Sequence, residues 1–279
     1  GLRWELEVTY VDACTAAGVG AAIQQGKTKV IWLETPSNPT WAITDIAEVS
    51  AVAHAAGALV AIDNTVATPI LTRPFEHGAD IILHSCSKYM NGHGDLIGGA
   101  VVVAEGHEDV LVDIQNIRNE YGGVLGSFEA WLLLRGMRTL AVRVKTASTS
   151  ALRIAQFLDG CDLVDQVLYA GLETHPNHNV AARQMQGGFG GMLSFRVKGG
   201  EDAAKLIASE VQVFRQAISF GSTESVIEHR AGMEKPDSPT PRDMLRVSVG
   251  LENTDDLIAD LRQAIDAVQR EISTGHRNA

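Results

Sequence analysis

The sequence predicts an α/β fold in which a mostly parallel sheet carries helices on both faces and a smaller C-terminal α+β unit follows. Three features point there. Short apolar runs alternate with helical patterns through residues 1–105. Those runs are continuously apolar, as strands covered on both faces are. A long helical stretch over 127–158 then separates them from a second set of strands and helices.

Val30–Glu34 (VIWLE) reads as the first strand and is closed by the turn TPSNP. Residues 44–56 have helical spacing, with Thr44 or Asp45 near the N-cap and Gly57 as the stop. Leu59–Asp63 (LVAID), Asp80–Ser85 (DIILHS) and Gly99–Ala104 (GAVVVA) are the next strands. Three strands run into polar ends: Thr35–Asn38, Asp63–Thr65 and Ser85–Lys88. Ligands of such sheets bind at the carboxyl ends of the strands. Beyond the helical stretch come a strand at Gly191–Val197, a helix over 201–210, a strand at Met244–Val249 and an amphipathic helix over 254–272. The domain boundary is expected near 138, giving 1–138 as part of a large domain and 139–279 as a small one. The Pro- and charge-rich segment 229–243 is the longest irregular piece and is expected at the surface or as a lid. No internal repeat and no low-complexity segment occurs.

The 279 residues are 45% apolar and 20% charged, with a net charge of −11. That sign disfavours nucleic acid, whose phosphates need a basic face, and equally an anionic membrane surface. No apolar run has the length of a membrane span. Cys14, Cys86 and Cys161 are far apart and odd in number, with neither disulfide-framework nor zinc spacing; a reduced, cytoplasmic setting is expected. The chain opens GLRWELEVTYVDA with neither Met nor a signal peptide. It enters at an expected strand with no preceding partner, so a fragment of a longer protein is expected.

The chemistry centres on HSCSKYMNGHGD, residues 84–95. A lysine at a strand end, beside small hydroxyls, can form a Schiff base with an aldehyde cofactor while the hydroxyls hold that cofactor's phosphate. Lys88, Ser85 and Ser87 satisfy this pattern; alone, it describes a surface lysine beside a turn equally well. Asp63 ends the apolar strand before it, where a carboxylate can pair with a protonated pyridine nitrogen or merely cap a turn. The two strand ends together are far more specific than either.

With these, the chain resembles the Cys/Met-metabolism group of fold-type I enzymes dependent on pyridoxal 5'-phosphate (PLP). The resemblance runs nearly end to end: ETPSNP at 34–39, IDNT at 62–65, the stretch from Arg73 to Asp95, HPNH at 175–178, ISFGSTES at 218–225 and LRVSVGLE at 245–252. It implies that Lys88 carries PLP covalently and shuttles protons, and that Asp63 pairs with the pyridine nitrogen. Ser85 and Ser87 are implied at the phosphate, Asn38 near the phenolic oxygen and Thr65 close to the ring. Arg246 is implied to clamp the substrate carboxylate, helped by Ser219; a guanidinium fork matches a carboxylate bidentately. Alternation in MLRVSV places Arg246 opposite Leu245 and Val247, which also fits a strand arginine facing solvent.

The implied reaction is γ-elimination on a γ-substituted sulfur amino acid such as methionine or cystathionine, giving a 2-oxo acid, ammonia and a thiol. The alternatives are γ-replacement on an activated homoserine, β-elimination, and a non-catalytic relative. At position 218 many cystathionine enzymes of the family carry Glu, which fits a distal amine, β-lyases often an aromatic residue, and methionine γ-lyases an apolar one. Ile218 therefore points to a less polar substituent. The segment EHRAGMEKPDSPTP also departs from the family's usual Met-Thr-His stretch, leaving specificity open. His93 is expected to shape the loop, His175 and His178 to be structural rather than metal ligands, and Cys86 to be a small buried residue; no metal is expected. The resemblance further implies a homotetramer, a dimer of dimers sharing active sites. It also implies that on the order of a hundred N-terminal residues are missing, among them a phosphate-binding loop, a ring-stacking Tyr, and a Tyr and an Arg donated across the dimer.

Overall fold

The structure, a computed structural model, describes residues 6–235 and 237–275, without the side chains of the last four. The expected opening strand begins outside the described residues, and 6–13 form no strand. In chain order the elements are α1 (Ala16–Ala22), β1 (Val30–Glu34), α2 (Ile46–Ala55), β2 (Leu59–Asp63), α3 (Thr68–Leu71), β3 (Ile81–Ser85) and β4 (Gly99–Val103). There follow α4 (Glu108–Tyr121), α5 (Ser127–Met137), α6 (Leu140–Asp159), β5 (Val164–Leu168), α7 (His178–Gln184), β6 (Met192–Val197), α8 (Gly200–Glu210), β7 (Arg215–Gln216), β8 (Val226–His229), β9 (Met244–Ser248) and α9 (Thr254–Gly275).

The first sheet runs β1-β2-β3-β4. β1, β2 and β3 are parallel, and α2 starts where the Asp45 carboxylate accepts the Glu48 N–H and stops at Gly57, whose φ is +74°. β4 departs from the parallel expectation. It pairs antiparallel with β3, and residues 86–98, which include the Cys86–Met90 turn, join the two. Helices α1 and α2 bury Leu33, Val60 and Ile62 beneath Val19, Ile46, Val49 and Ala53. On the opposite face of this sheet Trp32 is 61% exposed.

The second sheet runs β5-β6-β9-β8-β7, antiparallel except for β7 with β8. One face packs on α6, α8 and α9. Ile154 and Leu158, Ala204 and Ile207, and Leu257, Leu261 and Ile265 meet Leu193, Phe195, Leu245 and Val247 there. The helical spacing of those positions is the apolar stripe a sheet-facing helix needs. The stretch read as one helix over 127–158 is two. The Gly136 carbonyl is taken by the Thr139 N–H, the Thr139 hydroxyl and the Arg143 guanidinium, so the ladder breaks at 138–139. Residues 230–235 and 237–243 are irregular as expected, apart from a 3-10 turn at Arg230–Met233.

Candidate active site

Alternation on β9 decides the orientation of Arg246. Leu245 and Val247 enter the helix-covered core, so Arg246 points to the opposite face, where it is 3% exposed. Its ladder neighbours are Ser194 on β6 and Glu228 on β8. This polar row meets the turn that follows β1. The Ser194 hydroxyl accepts the Trp41 indole N–H at 2.8 Å and donates to the Pro39 carbonyl at 2.8 Å. Arg246 Nη1 donates to Asn38 Oδ1 at 3.0 Å. Arg246 Nη2 donates to the Ile218 carbonyl at 3.4 Å and forms an ion pair with Glu228 Oε1 at 2.6 Å. Burial pushes the guanidinium below its usual range, and Glu228 opposes that push.

Lys88 lies past the carboxyl end of β3 in a five-residue turn, Cys86–Met90, that its own backbone interrupts at φ −95°, ψ −132°. Its Nζ donates to the Ser219 hydroxyl at 3.0 Å and sits 4.9 Å from the centre of the Phe220 ring, which Arg246 also approaches at 5.5 Å. Burial holds the Lys88 ammonium below its usual range and the Arg246 charge adds to this, while Glu228 works against it. The turn is braced from below by Arg143, which is 5% exposed and donates to the carbonyls of Tyr89, Met90 and Gly136. Gly92, at φ +76°, accommodates that guanidinium, since a Cβ there would fall inside it.

Asp63 ends β2, in register with Glu34 on β1 and Leu83 on β3. Its Oδ1 accepts the Thr65 N–H at 2.9 Å, and Thr65 Oγ1 accepts the Ser85 N–H at 2.7 Å, locking the two strand ends together. Glu34 accepts the Asn38 N–H, and burial pushes its carboxyl up to about 7, with Asp63 contributing. The neighbouring His84 is buried, and desolvation holds its ring below its usual range while Asp63 works in the opposite direction. The Ser85 hydroxyl makes no hydrogen bond among the described residues, whereas the Ser87 hydroxyl is engaged with Gly98, accepting its N–H at 3.0 Å.

Thus the structure brings Asn38, Lys88, Ile218, Ser219 and Arg246 into one bonded string, and fastens Asp63, Thr65 and Ser85 together at the adjoining strand ends. Ser87 is turned toward the loop before β4. The Ile218 side chain is 62% exposed. His93 bonds the Asn91 carbonyl, and His178 bonds the Ala170 carbonyl. Among the described residues no cluster of three or more His, Cys, Asp or Glu is placed to hold a metal ion. Glu34, Arg143 and Glu228 escaped the sequence reading. Arg143 had a signal: it is the one cation in the apolar stripe Leu140, Val144, Ala147, Ala151. Glu228 had one only in retrospect, through its strand register with Arg246.

A desolvated lysine at a strand end, a carboxylate on the neighbouring strand and an unengaged hydroxyl between them form a donor set that fits PLP: an amine for the aldehyde, an anion for the ring nitrogen, a hydroxyl for the phosphate. The fold and this site define a class, PLP-dependent enzymes of fold-type I. Residues 2–266 match the family model described as Cys/Met metabolism PLP-dependent enzyme, and the chain belongs to that family. It is 41% identical over 268 residues to a cystathionine gamma-synthase of Mycobacterium tuberculosis, covering 94% of this chain and 68% of the relative. It is 39% identical over 275 residues to an L-methionine gamma-lyase of Fusobacterium nucleatum, covering 95% and 69%. The crystal structure of metB from Corynebacterium glutamicum superposes with a TM-score of 0.91 at 41% identity, covering 96% of this chain and 70% of that one.

Proposed function

We propose that the protein catalyses γ-elimination on a γ-substituted sulfur amino acid such as methionine or cystathionine, releasing a 2-oxo acid, ammonia and a thiol. The observation that carries this reading is the bonded string from Lys88 through Ser219 and Ile218 to Arg246, which sets a base and a carboxylate-binding cation at 4.9 and 5.5 Å from the centre of one aromatic ring, Phe220. PLP, which Lys88 would hold covalently in the resting protein, would supply an electron sink for the negative charge left at Cα. Arg246 binds the substrate carboxylate and orients the Cα–H bond. Once the substrate's amine has taken its place on the cofactor, Lys88, its proton affinity lowered by burial, would take that proton on Nζ and return it later, with Ser219 steadying Nζ. Asp63 would supply the anion for the cofactor's ring nitrogen, Ser85 would hold its phosphate with Ser87 once that hydroxyl leaves Gly98, and Asn38 would lie near its phenolic oxygen and Thr65 close to its ring. Ile218 gives the γ-substituent an apolar neighbour, which favours a thioether over a distal ammonium.

A second reading, γ-replacement on an activated homoserine, is supported by the 41% identity to a cystathionine gamma-synthase. Steady-state rates on methionine, homocysteine, cystathionine and O-acylhomoserines, with and without added thiol, separate the two. A strong preference for cystathionine over methionine would sink the less polar substrate; a new thioether formed at the expense of 2-oxo acid would establish replacement.

The two sheets correspond in this reading to a large domain up to about residue 138 and a small domain from 139. The exposed apolar side chains Phe128, Trp131, Leu134 and Met137 on α5 support assembly into a tetramer whose dimers share active sites. Among the described residues no helix is long and apolar enough to cross a membrane, and a cytoplasmic setting follows the cysteine usage.

A further inference from the structure

Glu228 presents a difficulty for a carboxylate site. It is 6% exposed and sits 2.6 Å from Arg246, so its charge cancels the cation that is to receive the substrate. The chain supplies a counterweight. Arg230, just past the end of β8, places Nη1 3.2 Å from the same Glu228 Oε1. The other oxygen of Glu228 is buried and has no partner among the described residues, so both cations compete for one atom. Arg230 is itself fixed: its Nε donates to Glu234 Oε1 at 2.6 Å, and Glu234 accepts the hydroxyls of Ser238 and Thr240. Arg246 responds to the whole chain of charges. Burial lowers its proton affinity, Glu228 and Glu234 raise it, and Arg230 lowers it.

We propose that Arg230 is a positioning residue for the substrate carboxylate: it offsets Glu228, so that Arg246 keeps a net positive charge toward the ligand. The proposal rests on the reading of Arg246 as the carboxylate clamp. Glu234 lies beyond Arg230 in the chain of charges and is more exposed than Glu228, so its charge weighs less at Arg246. Removing Arg230 leaves Arg246 facing an uncompensated buried anion, and a second carboxylate is then repelled. Removing Glu228 as well restores the original balance.

The test uses the PLP-loaded full-length protein and two probes. 4-(Methylsulfanyl)butanoate has the carboxylate without the amine, and its affinity is read by titration calorimetry. 3-(Methylsulfanyl)propylamine has the amine without the carboxylate, and its binding is read from the visible spectrum. R230Q is expected to weaken the carboxylate about 3- to 10-fold and to leave the amine unchanged or tighter. R230K keeps the charge and the affinity, and E228Q/R230Q returns both probes to within about twofold of wild type. If R230Q does not fold, E228Q against E228Q/R230Q reads the same charge: E228Q binds the carboxylate tighter than the double variant. Equal losses for both probes, or no recovery in the double variant, would overturn the proposal. R246M separates the two levels. If it leaves the carboxylate affinity intact, the clamp reading fails and this proposal with it; if it abolishes that affinity while R230Q has no effect, only the role of Arg230 fails.

Discussion

The Lys88 ammonium donates a hydrogen bond to the Ser219 hydroxyl at 3.0 Å, joining the end of β3 to the loop before β8 across 131 residues of sequence. The first sheet thus supplies the amine and the second sheet its hydrogen-bond partner.

Replacing Lys88 by Ala removes both the covalent link and the proton acceptor. The PLP-loaded protein is expected to lose its visible absorption band, and 2-oxo acid production should fall by roughly a thousandfold or more. A variant that keeps the band would show that another amine carries the cofactor.

Arg246→Lys keeps the charge but loses the planar fork that reaches Asn38, Glu228 and the Ile218 carbonyl together. Charge-assisted hydrogen bonds contribute about 1.5–3 kcal/mol each. The expected result is a rise in KM of roughly 10- to 100-fold with a smaller change in kcat, measured with methionine.

Glu34 predicts a pH dependence of stability. Its carboxyl titrates near 7 in the folded chain against an ordinary 4.5, and burial is the main cause. A raised folded-state value means that the contribution of the protonated side chain is fully present below 4.5 and is lost as pH rises through 7. Glu34→Gln should therefore leave stability at pH 4 nearly unchanged and raise it at pH 8 by up to about 3 kcal/mol. Urea denaturation of the cofactor-free protein at both pH values checks this; equal effects at both would contradict it.

Gly92→Ala drives a methyl group into the Arg143 guanidinium at a positive φ. The loss is expected to be about 2–4 kcal/mol, and PLP should dissociate faster because the turn carrying Lys88 loses its brace. Thermal melting and cofactor release by gel filtration report the two effects separately.

The site was legible in the sequence where motif and strand end coincide. Asp63 closing LVAID and Lys88 just past DIILHS both stand at carboxyl ends of parallel strands, as read. The side on which Arg246 lies was not legible, since MLRVSV alternates identically for a solvent-facing and a site-facing arginine. Only the helices packing on Leu245 and Val247 decide it. Glu228 stayed hidden for a similar reason: its meaning comes from β8 lying beside β9, a pairing that no local pattern encodes. The break at 138–139 depends on side chains competing for one carbonyl, which helical periodicity does not register.

The turn over residues 35–42 leaves the first sheet yet bonds to Ser194 and Arg246 of the second, through Trp41, Pro39 and Asn38. Recombination between relatives has to respect this. A chimera with its crossover anywhere from 43 to 193 takes the turn from one parent and the Ser194–Arg246–Glu228 row from the other. Its indole, amide and guanidinium must then find partners that never evolved beside them. Libraries that exchange the turn and the row as one block keep the junction matched, whatever else they shuffle.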